Sequence, residues 1–123
     1  MHIYATHSNS FDFKEEFYNP LVQLTSLIPN IKEIVLPHKD SAEQFDTLRY
    51  FKNSCALVIA EASYPSTGSG IELGWASLLN IKIVVVHHIS KKPSSSYKVI
   101  SDDFIVYENS EDLTNKLYNF ILR

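Results

Sequence analysis

Only three glycines occur in 123 residues, with five prolines, one cysteine, one methionine and one tryptophan. So small a glycine count is unusual for a chain of this length, because turns normally draw on glycine throughout. A lone cysteine excludes an internal disulfide framework. Cys55 lies in the apolar run Cys55-Ala56-Leu57-Val58-Ile59-Ala60 and is expected to be a buried, reduced core residue. The formal net charge of −3 gives no reason to expect a nucleic-acid or membrane partner. No apolar run approaches the ~20 residues of a membrane span. Internal repeats, low-complexity tracts and linkers are missing, so residues 1–123 are expected to form one domain. The N-terminus enters an apolar strand without a basic segment, which gives the expectation of a cytoplasmic protein. His87 and His88 are adjacent on a strand and face opposite ways, and no Cys/His cluster supports them, so no metal is expected.

What glycine there is has been gathered in one place. All three residues fall in Pro65-Ser66-Thr67-Gly68-Ser69-Gly70-Ile71-Glu72-Leu73-Gly74-Trp75-Ala76. The apolar run before it predicts a buried strand, and Ile71 to Leu79 predicts a helix. A glycine-rich strand-to-helix junction lets a ligand approach the backbone and aims free N–H groups at anionic oxygens.

Around this junction, strands are predicted over residues 2–6, 32–36, 55–60, 82–86 and 104–107. Helices are predicted over 13–28, with Asp12 as cap and Pro20 as a point of kinking; from Ser41, which with Gln44 forms a capping box and leads Phe45, Leu48 and Phe51 into the core; over 71–79; and from Ser110 to the end, with Leu113, Leu117, Phe120 and Ile121 buried. Alternating strands and helices with near-continuous apolar strands predict an α/β fold. The expected form is a doubly wound, five-stranded parallel sheet of flavodoxin-like order 2-1-3-4-5. Ligands in such sheets bind beyond the carboxyl ends of the strands, which selects the loops at 7–13, 61–69 and 87–96.

Several side chains in these loops are candidates. Glu72 is either a nucleophile at the rim of a pocket or a charge that complements the helix dipole. Ser66, with the N–H groups of Gly68 and Gly70, suits an anionic oxygen, or is an ordinary turn. Glu61 closes the third strand and either assists a ligand or binds loop amides. The Tyr4 hydroxyl needs a partner if buried, and Glu72 is a candidate across the adjacent loop. His7 is a ligand contact or an exposed loop histidine. The segment Lys91-Lys92-Pro93-Ser94-Ser95-Ser96 reads as a flexible connection on the binding side. The glycines match neither a dinucleotide fingerprint nor a P-loop: the first belongs after strand one, and the second needs a terminal Lys-Ser/Thr. No cofactor is expected.

The junction residues Glu61 to Ala76, with the pattern Ser-x-Gly-x-Gly-x-Glu-Leu-Gly, resemble the nucleoside 2-deoxyribosyltransferase family. They look closest to its branch of 2′-deoxynucleoside 5′-monophosphate N-hydrolases. The resemblance implies that Glu72 is the nucleophile on the anomeric carbon and that Tyr4 orients it. It also implies that Ser66 meets a 5′-phosphate, that Ser96 reaches that phosphate from a neighbouring subunit, and that Asp46 handles the leaving base. Ser8 and Ser10 lie in the first-strand loop, where the hydrolases carry an arginine that Ser10 replaces. Ala56 stands where the family often has aspartate. The implied partner is a small nucleoside or nucleotide, and the implied assembly a homodimer or larger homo-oligomer. Three functions compete: hydrolysis of the base–sugar bond, exchange of bases by a transferase, and a nucleotide-binding module with little catalysis.

Overall fold

The computed structural model describes residues 1–38 and 45–123. Five strands form one all-parallel sheet: β1 (His2–Thr6), β2 (Glu33–Val35), β3 (Cys55–Glu61), β4 (Lys82–His88) and β5 (Asp103–Tyr107). Their order is β2-β1-β3-β4-β5, as the sequence pattern predicts. The helices are α1 (Asn19–Leu27), α2 (Thr47–Asn53), α3 (Thr67–Leu78), α4 (Tyr97–Ile100) and α5 (Ser110–Leu122).

Alternation along the strands separates two cores. Ile3 and Ala5, Leu57 and Ile59, and Val84 and Val86 point to one face, where they bury Leu21 and Leu24 of α1 and Leu113 and Leu117 of α5. Tyr4, Val58 and Ala60, and Ile83 and Val85 point to the other, where they meet Phe51 of α2 and Leu73 and Ala76 of α3. The β4 run is apolar on both faces, as a strand covered on both sides must be.

Local chemistry departs from the sequence pattern in several places. The helix expected over 13–28 divides into a π-helical segment, Lys14–Tyr18, and α1. Pro20 is the second residue of α1, just after the π-helical segment, where the helix divides. The cap of α5 is Asn109 rather than Ser110, its side chain accepting from the Asp112 N–H at 2.8 Å. The expected capping box of Ser41 and Gln44 lies outside the described residues. Phe45 precedes α2 and is 43 % exposed, so it does not enter the core. Cys55 is half-buried, with burial raising its thiol to about 11. Part of the expected flexible serine segment forms the single turn α4.

The glycine cluster is also placed differently. Thr67 begins α3, so all three glycines lie inside the helix and none has positive φ. The left-handed residue is Asn80 (φ 59°), just past the helix end. Ile81 N–H donates to the Ala76 carbonyl and Asn80 N–H to that of Ser77, closing a Schellman cap with asparagine in glycine's usual position. Among the described residues no helix is long and apolar enough to cross a membrane.

Candidate active site

Three elements converge on one carboxylate. Tyr4 and Thr6 are two apart on β1 and therefore share a face. That face meets the amino-terminal half of α3, and Thr47 arrives as the first residue of α2. Glu72 sits in the second turn of α3. Its Oε2 accepts from the Tyr4 hydroxyl at 2.5 Å and from Thr47 Oγ1 at 3.1 Å, and its Oε1 from Thr6 Oγ1 at 2.8 Å. Thr6 also lies 2.8 Å from Ser69 Oγ, and the Tyr4 and Thr47 hydroxyls are 3.1 Å apart. Three hydroxyl donors on one carboxylate fix its plane. Burial first, and then the bond to Glu72, push the Tyr4 phenol far above its ordinary range, so it remains a donor. Phe51 packs edge-on against the Tyr4 ring at 5.2 Å and holds it.

Glu72 opens onto a cleft of about 720 Å³ at the carboxyl end of the sheet, where ligands bind in such folds. Ser66, Gly68 and Ser69 form one wall; Ile71, Trp75, Phe45 and Leu48 supply apolar surface; Asn9, His38 and Asp46 line the rest. Ser66 caps α3: its Oγ accepts from the Ser69 N–H at 3.2 Å, which leaves its own hydroxyl proton free to donate. The Gly70 N–H is already donated to the Ser66 carbonyl at 3.1 Å. Gly70 therefore cannot serve an anion as expected, and it faces a different cavity. Gly68 does line the Glu72 cleft.

The other candidates are spread more widely. His7 is buried, not an exposed loop residue. Its Nδ1 lies 2.7 Å from the Ser8 carbonyl and its Nε2 2.7 Å from the Tyr18 hydroxyl, which in turn accepts from the His38 backbone N–H at 3.0 Å. A carbonyl only accepts, so Nδ1 carries the proton and Nε2 accepts from Tyr18. Burial lowers the His7 imidazole to about 4, so the ring is neutral. Ser8 and Ser10 bond to one another, Oγ to Oγ at 2.9 Å. Asp46 lines the cleft but caps α2: its Oδ1 accepts from the Arg49 N–H at 3.2 Å and its Oδ2 lies 3.9 Å from the Arg49 guanidinium.

Glu61 faces away from Glu72. It continues the Leu57–Ile59 side of β3 and is 2 % exposed. Its carboxylate accepts from the Ser63 N–H at 2.6 Å, the Ser63 hydroxyl at 2.8 Å and the Tyr107 hydroxyl. Burial raises its carboxyl, which these bonds partly offset. The expected ligand contact is thus replaced by a clamp on its own loop. Ser96 lines the second cavity, about 450 Å³, with Lys92, Tyr97, Gly70 and Gly74, on the other side of the α3 amino terminus. Within one chain the structure does not bring Ser96 to Glu72; Ser66 alone among the candidates borders both cavities. Thr6, Thr47 and His38 were not singled out by sequence. Only Thr6 had a signal, its two-residue spacing from Tyr4. Among the described residues no group of three or more His, Cys, Asp or Glu gathers as a metal site.

No family model matches the chain, and no curated protein matches it in sequence. Its fold is similar to that of the Clostridium botulinum CMP N-glycosidase BcmB, with a TM-score of 0.68 and 20 % identity over 98 % of this chain and 99 % of that one.

Proposed function

We propose that this chain, acting as one catalytic domain, is a nucleotide N-glycosidase. The observation that carries the proposal is the Glu72 carboxylate, held by Tyr4, Thr6 and Thr47 at the wall of a cleft beyond the strand ends. A fold shared with a CMP N-glycosidase supports base–sugar cleavage as the reaction class, and resemblance at the Glu-Leu-Gly motif supports 2′-deoxynucleoside 5′-monophosphates as substrates.

In this mechanism Glu72 attacks the anomeric carbon through a cation-like transition state. The base departs, and water then resolves the glycosyl ester. The three hydroxyls orient the carboxylate before attack and hold its charge after release. The 5′-phosphate meets the Ser66 hydroxyl and the N–H groups at the start of α3. Four residues of helix separate Gly68 from Glu72, a rise of about 6 Å, which matches the reach from a 5′-phosphate to the far side of the pentose. Trp75 and Phe45 offer apolar surface to the base.

The working unit in this proposal is a homodimer. Ile71 and Leu78, on the outward side of α3, are 52 % and 82 % exposed, more apolar surface than a free helix face normally carries. A second copy over this face would bring its Ser96 to the neighbouring Glu72 cleft. The test is incubation with a panel of nucleosides and nucleoside monophosphates, with and without an acceptor base. Free base with sugar phosphate supports the hydrolase. Exchanged base replaces it with a transferase, and tight binding without turnover replaces it with a binding module.

A further inference from the structure

A nitrogen heterocycle is a poor leaving group as an anion, so cleavage through Glu72 needs a proton on the departing base. Asp46, the acid implied by the resemblance, is held as the cap of α2 and paired with Arg49. His7 borders the cleft, but both its ring nitrogens are engaged. One protonatable side chain of the cleft wall is left with its ring free among the described residues. His38 is exposed and lines the same cleft as Glu72. Its backbone N–H is anchored on the Tyr18 hydroxyl at 3.0 Å, and its ring packs edge-on against His7 at 5.3 Å and Phe13 at 6.1 Å. The residue is thereby positioned while neither ring nitrogen has a hydrogen-bond partner among the described residues.

We infer that His38 is the acid that protonates the leaving base; this rests on the glycosidase function proposed above. Glu72 forms a bond to C1′ as the C1′–N bond breaks, and the electron pair leaves with the base. The His38 imidazolium gives that base its proton and becomes neutral imidazole. The imidazole then takes a proton from the water that attacks C1′, the ester bond to Glu72 breaks, and both groups return to their starting states. Positioned acids of this kind contribute roughly 10²- to 10⁴-fold.

The experiment compares wild type, His38→Asn and Asp46→Asn on two substrates. One is a deoxynucleoside monophosphate. The other is the same sugar phosphate carrying p-nitrophenol, whose anion departs without a proton. For His38→Asn, kcat/KM for the nucleotide, which reports the step that releases the base, is expected to fall about 100-fold or more, and kcat/KM for the nitrophenyl substrate by only a few-fold. Equal loss of kcat/KM on both substrates, or a substrate-selective loss in Asp46→Asn alone, would overturn the assignment of His38. A wild type that cleaves neither substrate would overturn the glycosidase proposal with it.

Discussion

Replacing Gly74 with alanine should stabilise this protein. Gly74 lies inside α3, has no positive φ, and a Cβ built on it meets no atom within 4 Å. Neither backbone strain nor packing within the chain therefore calls for glycine. An interior helical glycine costs about 1 kcal/mol relative to alanine, because the flexible unfolded chain loses more entropy on folding. At about 2.1 cal/mol/K per residue, unfolding 123 residues carries an entropy near 0.26 kcal/mol/K, so 1 kcal/mol raises the midpoint by about 4 °C. The assay is thermal and urea unfolding, on protein diluted until the midpoint no longer depends on concentration. A midpoint that falls under those conditions would refute the reasoning, since it would mean that Gly74 makes a contact inside its own chain. The same substitution should lower turnover in concentrated protein if a second copy closes over α3.

Tyr4→Phe keeps the ring against Phe51 but removes the 2.5 Å bond to Glu72; a bond to a charged group is worth about 1.5–3 kcal/mol, so steady-state kinetics should show turnover reduced about 10- to 100-fold with KM little changed. Ser66→Ala removes the α3 cap and should cost about 1 kcal/mol of stability in urea titrations, while calorimetry should show weaker binding of phosphorylated ligands and nearly unchanged binding of nucleosides. Burial depresses His7 from its ordinary 6.5 to about 4, so between those values the unfolded chain binds more protons than the folded one. Its contribution to stability is complete above about pH 6.5 and is lost as pH falls towards 4. In His7→Gln, urea midpoints measured from pH 7 to pH 4 should decline less steeply than in the wild type.

Strand order and the two cores were readable because period-two alternation and apolar runs act locally and survive in the folded sheet. Phe17, Leu21, Leu24 and Ile28 are all buried at helical spacing even though a π-helical segment interrupts their helix. Glu61 was misplaced although the same alternation was available: two residues past Ile59, it must share that residue's face, opposite α3. Asn109 and Ser110 are both good caps, and only the direction of the chain leaving β5 chooses between them. Thr47 and His38 carry no pattern of their own. Thr47 reaches Glu72, and His38 the same cleft, because β2 ends and α2 begins at the side of the sheet that holds Glu72, which depends on the tertiary arrangement. The separation of Ser96 from Glu72 depends likewise on which side of α3 each segment passes.

Whether Glu72 breaks the base–sugar bond separates an enzyme from a binding module. Release of free base from deoxynucleoside monophosphates, followed chromatographically for wild type and Glu72→Gln, tests this most directly. The wild type should release base and sugar phosphate in equal amounts. Glu72→Gln should bind the same nucleotide and turn it over slower by several orders of magnitude, because the attacking charge is gone while the shape remains. Wild-type rates in Glu72→Gln would contradict the account and reduce the carboxylate to a hydrogen-bonded anchor between β1, α2 and α3.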